Sequence, residues 1–325
     1  MRMKLRRLVV ALGLGLALLP VLPLARGQYL MAYDTNAFDK IFVPSSKLSS
    51  LATGFKFVEG PVWIPKDGGL LIFSDIPAGE LKCWSVESDE ISVYRQPSNG
   101  ANGNCLDLDG RVISAEHEGR RLSIQQTDGT WAVLVDSVDG KKFNSPNDVV
   151  VKQDGTVWFT DPDYGLAGRP KEVAGNYVYR FDPKTKRTTV VSDALERPNG
   201  ICFSPDEKRL YVADSGSQPM VVVFDVHSDG TLGAGLKLCD IKKGVPDGMR
   251  CDADGRLYVA VGDGVRICDP EGKLLAKILV PETPANLCFG GKDFKTLFVT
   301  AKTSLYAIRL GVRGAAARTQ NVATR

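Results

Sequence analysis

The sequence predicts an all-β fold, a six-bladed β-propeller with four-stranded blades, closed by an N-terminal strand in the last blade. Two observations lead there. Six segments of the 325-residue chain repeat one pattern: EGPVWIPKDGGLLIFSD, ANGNCLDLDGRVISAEH, PNDVVVKQDGTVWFTDP, PNGICFSPDEKRLYVADS, PDGMRCDADGRLYVAVG and PANLCFGGKDFKTLFVTA. Each is a short alternating strand, a turn of Asp, Gly or Lys, and a second strand rich in Val, Leu, Phe and Tyr, as in a β-hairpin. Their spacing is the second observation. Taking Glu59, Asn102, Asn147, Asn199, Asp247 and Ala285 as one column, the gaps are 43, 45, 52, 48 and 38 residues, the period of propeller blades.

The remaining elements follow in chain order. Residues 1–27 read as a cleavable signal peptide: Arg2, Lys4, Arg6 and Arg7 precede an apolar run, with Ala25 and Gly27 before Gln28. A retained anchor is the alternative, but Pro20 and Pro23 interrupt the run, which is short for a span of roughly 20 residues. The chain is then expected to be exported, to the periplasm or beyond, with no stable membrane association after cleavage. Residues 28–315 form the propeller. Outer strands are expected in NYVYRFDP, VVVFDVHSDG and GVRICDPEGKLLAKILV. After Ala285 there is room for about three strands, so the fourth must come from residues 28–58, where FDKIFV is the best segment. Such closure removes the exposed edges of an open ring. Residues 316–325 are a polar tail.

Charge narrows the class. Without residues 1–27 the chain keeps 36 cations against 38 acids, and no basic cluster suggests nucleic-acid binding. The seven cysteines are an odd set. Cys105, Cys202, Cys251 and Cys288 occupy matching places in the repeats and read as core packing, whereas Cys239 and Cys268 are open to either reading, core packing or a disulfide.

The marker column carries the chemistry. First strands line a propeller's channel, so equivalent residues at their starts form a ring at one mouth. A purely structural ring would repeat one residue type; this one reads Glu, Asn, Asn, Asn, Asp, Ala. Five oxygen-bearing side chains, two of them charged, suit a hard divalent cation, calcium first, with zinc or magnesium as alternatives. Asn and Asp also favour turns, which accounts for one or two of the five. Fourteen to sixteen residues later a second column, Asp75, Glu116, Asp161, Asp214, Val261 and Ala301, returns to the same mouth. Loops following it bring His117, Arg120, Asp161, Tyr164 and Arg169 forward as substrate contacts. His117 is assigned to substrate binding or leaving-group protonation; His227 sits in an outer turn.

At EGPVW, FNSPNDVVV, FTDPDYG, RPNGICFSPDEKRLYVADS and PDGM the chain resembles the SMP-30/gluconolactonase/LRE-like family of calcium-dependent propeller lactonases. The resemblance covers nearly everything after the signal segment. It implies metal ligation by Glu59, Asn147, Asn199 and Asp247, a substrate or metal-water contact at Asn102, and Asp247 as general base. The implied reaction is hydrolysis of a small sugar lactone, such as glucono-1,5-lactone, to the aldonic acid. Two other readings keep the fold: a calcium-dependent arylesterase or phosphotriesterase, favoured by an apolar pocket, and a non-catalytic, calcium-stabilised binding propeller. The oligomeric state is not legible.

Overall fold

The structure, a computed structural model, describes residues 24–25, 28–66 and 68–315. Six antiparallel sheets follow one another, with the hairpins where the repeats place them. Blade 1 holds Val58–Ile64, Leu70–Asp75, Glu80–Ser85 and Glu90–Arg95; blade 2 opens with Ala101–Leu106, blade 3 with Val149–Val151, blade 4 with Pro198–Phe203, blade 5 with Met249–Cys251 and blade 6 with Pro284–Gly290. These first strands pack on their neighbours in turn, the last against the first, which closes the ring.

Packing follows the same logic. Six hydrophobic clusters are found among the described residues, one at each blade boundary. Second strands such as Leu70–Asp75 and Val157–Asp161 are buried along nearly their whole length, since they face a neighbour on both sides. Trp158, Tyr179, Tyr211 and Tyr258 are among the largest fully buried side chains.

The closing strand is not FDKIFV. Phe38 through Ile41 belong to a short helix, Thr35–Ile41, capped by Asp34, whose Oδ1 accepts from Ala37 N at 3.0 Å. Phe38, Ile41 and Phe42 stand at helical i, i+3 and i+4 spacing and are buried at the boundary of blades 5 and 6. Blade 6 is completed instead by Ser49–Thr53, paired antiparallel with Ser304–Arg309. An N-terminal strand does close the ring; it is a more polar and more exposed one than expected.

Blade 5 carries an extension: Leu30–Ala32 pairs with Leu274–Ile278, and Leu24–Ala25 pairs with Leu30–Ala32. Apart from that last strand, the segment read as a signal peptide lies outside the described residues, as does the tail 316–325. No helix among the described residues is long and apolar enough to cross a membrane.

Candidate metal centre

Each marker residue sits where its strand leaves the ladder. Register breaks fall at Glu59/Val62, Ala101/Asn104, Pro198/Ile201 and Pro284/Asn286. In blades 3 and 5 regular pairing starts only at Val149 and Met249, after Asn147 and Asp247. A bulge frees a side chain from the two-residue alternation and re-aims it. In these four blades the break releases the start of the inner strand from regular alternation.

The position after the marker controls how closely the strands approach. It is glycine in four blades. A Cβ on Gly60 would lie 1.9 Å from the Asn102 carbonyl oxygen, and φ there is +49°. On Gly248 it would lie 2.0 Å from Asn286 Cγ. The two non-glycine residues of this column were missed in the sequence. Asn286 enters from blade 6 beside Ala285 and donates from Nδ2 to Glu59 Oε2 at 2.9 Å. Asp148 accepts from Arg250 Nη1 at 3.2 Å, a buried ion pair one layer below the ring. The signal was present: an Asn and an Asp in a column otherwise glycine.

Four of the five oxygen-bearing ring residues are almost fully buried, at 3% to 6% exposure for Glu59, Asn102, Asn147 and Asn199, and Asp247 is half-buried. Burial pushes the Glu59 carboxyl up to about 7, although Oε2 accepts from Gly60 N and Asn286. Asp247 is raised well above the usual carboxylate range by burial, then by the charges of Glu59 and Asp148. Neither carboxylate has an ion-pair partner among the described residues. Asn102 Oδ1 and Asn199 Oδ1 are buried without a hydrogen-bond partner. Two repelling carboxylates and the orphaned Asn199 oxygen form an acceptor set, which a hard dication satisfies, and the orphaned Asn102 oxygen is a further acceptor beside them. The site has only two acids, so no cluster of three or more His, Cys, Asp or Glu appears among the described residues.

Second strands hold the ring from behind. Ser74 Oγ donates to Asn102 O at 2.7 Å and Thr160 Oγ1 to Asn199 O at 2.6 Å. Asn104 Nδ2 gathers Gly60 O, Ser74 Oγ and Asn102 O, so blades 1 and 2 share one buried polar network.

At the mouth, His117 Nε2 lies 3.0 Å from Asn102 Nδ2. In this pairing Nε2 is the acceptor, which places the imidazole proton on Nδ1. Gly165 packs on the same ring, where a Cβ would come within 2.5 Å of His117 Cγ. Arg169 pins the two loops together by donating to the carbonyls of His117, Glu118, Gly165 and Leu166. Tyr164 is 38% exposed; its hydroxyl lies beside Ser215 and Asn199 and feels the charge of Asp247. Arg197 stacks over its ring, 5.2 Å from the centroid.

Arg120 and Asp161 are placed differently. Arg120 donates from Nε to Phe143 O at 2.6 Å and pairs with Glu172 at 3.1 Å, joining two loops. Asp161 is fully buried, and its two oxygens accept from Asn144 N and Ser145 N, both at 2.8 Å. Asp75 does the same for Lys56 N and Phe57 N, and Asp214 for Glu196 N and Arg197 N. In these three blades the second column straps down the segment that leads into the first strand. At the opposite end of the channel a cavity of about 170 Å³ is lined by Cys105, Cys202, Cys251, Cys288 and Arg250. Asp148–Arg250 lies between it and the ring.

Burial, then the Arg169 charge, lowers the His117 pKa to about 4. The unfolded chain, near 6.5, therefore binds the proton that the folded chain refuses, and stability rises with pH between those values. At pH 5 this costs about 2 kcal/mol relative to pH 7.5. His117→Gln is expected to flatten that dependence by the same amount in denaturant titrations at the two pH values. An unchanged difference would contradict a neutral imidazole at this half-buried position.

A family model described as the SMP-30/Gluconolactonase/LRE-like region matches residues 57–303. A gluconolactonase of Zymomonas mobilis is 33% identical over 300 residues, covering 83% of each chain. The solved structure of a gluconolactonase from Xanthomonas campestris superposes with a TM-score of 0.82 at 31% identity, covering 90% of this chain and 97% of the other. A 6-deoxy-6-sulfogluconolactonase of Pseudomonas putida is 27% identical over 75% of this chain and 82% of its own.

Proposed function

Because the chain belongs to the SMP-30/gluconolactonase/LRE-like family, we propose that it hydrolyses a small polyhydroxylated lactone, of the glucono-1,5-lactone type, to the open hydroxy acid. Glu59, Asn147, Asn199 and Asp247 would hold a divalent cation, calcium before zinc or magnesium. The observation that carries the reading is the acceptor set of the ring, with two carboxylates that lack ion-pair partners among the described residues and the orphaned Asn199 amide oxygen. Bound there, the cation supplies Lewis-acid polarisation of the lactone carbonyl.

The chain's own groups supply the rest. Asp247 takes the proton from the attacking water through a carboxylate oxygen. Asn102 turns an unpartnered Oδ1 to accept from a substrate hydroxyl, while its Nδ2 is held by His117. Neutral at working pH, His117 positions that amide and carries no proton for the leaving ring oxygen. Tyr164, with its hydroxyl by Asn199, forms a polar rim that suits sugar hydroxyls better than an aryl group. Glucono-1,5-lactone and 4-nitrophenyl acetate, assayed side by side, test the substrate class. Higher kcat/KM on the lactone is expected; preference for the aryl ester would replace this reading with the arylesterase one.

Glu59 contributes half of the ring's formal negative charge. Glu59→Gln is expected to weaken calcium binding by at least tenfold, read as Kd by calorimetry on chelator-treated protein; the direction follows from the lower ligand charge. Unchanged affinity would remove Glu59 from the ligand set.

A further inference from the structure

Cys239 and Cys268 belong to adjacent blades, Cys239 in an edge strand and Cys268 at the end of an interior one. Cys239 is in the outermost strand of blade 4, Leu236–Asp240, and Cys268 ends the third strand of blade 5, Gly264–Cys268. The two thiols are near enough to shift each other's ionisation, Cys239 downward and Cys268 upward. Flanking residues clamp the pair on both sides: Arg266 Nη1 donates to Asp240 O at 3.1 Å, and a Cβ on Gly272 would come within 2.4 Å of Leu238 O. Arg209 Nη1 adds a third tie to Pro270 O at 3.3 Å. Register breaks adjoin both cysteines, at Val221/Val222 opposite Cys239 and at Ile267/Cys268. Contacts on either side thus hold the two cysteines near each other.

We propose that Cys239 and Cys268 form a disulfide that staples blade 4 to blade 5 when the protein meets a small-molecule disulfide oxidant. Cys239 is half-buried and open to attack, whereas Cys268 is 1% exposed. The neighbouring Cys268 thiol and the Arg266 charge lower the Cys239 thiol against the opposing effect of burial, which favours its thiolate. With glutathione disulfide as oxidant, the Cys239 thiolate attacks one sulfur and releases one glutathione thiolate. The Cys268 sulfur then attacks the mixed disulfide at Cys239 and releases the second. Two protein thiols are oxidised, one glutathione disulfide is reduced, and both thiol protons pass to the departing glutathiones. Cys202 and Cys251 also touch across this boundary, but at 3% and 4% exposure neither is open to the oxidant. The staple joins the blades that contribute Asn199 and Asp247.

The test incubates the folded full chain with glutathione disulfide at pH 8, blocks free thiols with iodoacetamide after denaturation, and maps tryptic peptides without reduction. A linked pair joining residues 238–242 to 267–273 is expected, together with a Tm increase of roughly 5 °C. Cys268→Ser should stop at the glutathione adduct on Cys239, which separates attack at Cys239 from closure. Carbamidomethylated Cys239 and Cys268 after oxidation, or linkage of either to another cysteine, would overturn the proposal.

Discussion

Asp247→Asn is expected to lower kcat on glucono-1,5-lactone by about 10²–10⁴-fold at saturating calcium, the usual contribution of general-base assistance. The substitution keeps shape and one amide oxygen toward the ring while removing the carboxylate. It also removes the charge that Glu59 and Asp148 oppose. The metal-free variant should therefore melt higher than the metal-free native protein, and the calcium-induced rise in Tm should shrink. A folded, more stable and nearly inactive protein is the combination expected of a base. Asp247→Ala removes the ligand oxygen as well and should abolish activity. Near-native kcat in Asp247→Asn would take the proton-transfer role away from this residue.

Asp148→Ala is expected to destabilise the fold by about 3–5 kcal/mol, as when one member of a buried ion pair is removed. Asp148 Oδ2 accepts from Arg250 Nη1 and Ile201 N, and Oδ1 from Val149 N. Arg250 Nη1 reaches Ile201 O and Met249 O besides. One carboxylate thus ties the inner strands of blades 3, 4 and 5 immediately beneath Asn147, Asn199 and Asp247. Without it the guanidinium is left among the thiols and apolar groups of the lower channel. Replacing both partners, as Asp148→Ala with Arg250→Met, should recover part of the loss because no uncompensated charge stays buried. Denaturant midpoints give the comparison; a single-variant loss below about 1 kcal/mol would mean the pair is well solvated.

Much of this was legible in the residues. The hairpin alternation and the 38-to-52-residue spacing placed all six blades, because each blade must bury both faces against its neighbours. Closure was harder to read. Ser49–Thr53 is polar and half-exposed, so its pairing with Ser304–Arg309 leaves little hydrophobic signature. FDKIF imitates a strand by composition, yet its apolar residues stand at helical spacing behind an Asp cap. The marker column stood out because its six positions are not all of one type.

What the column could not show was contact. Asn286 reaches Glu59 across the seam between the last blade and the first, a separation of 227 residues. The hydrogen bonds of Asp75, Asp161 and Asp214 go to backbone N–H groups, which carry no residue code. His117 and Asn102, fifteen residues apart, meet only because one hairpin returns to the mouth from which it left. Cys239 and Cys268 come near each other because blades 4 and 5 pack together there, a relation that an odd number of cysteines gives no means of choosing.

Acid release from glucono-1,5-lactone by chelator-treated protein, before and after calcium is restored, tests the central claim most directly. Spontaneous lactone opening is subtracted using Asp247→Asn under the same conditions. The account predicts turnover that is lost on chelation and returns with the divalent cation in the native protein alone. Calcium that binds and raises Tm, yet restores no turnover above the variant, would contradict it and leave a propeller whose metal ring serves structure only.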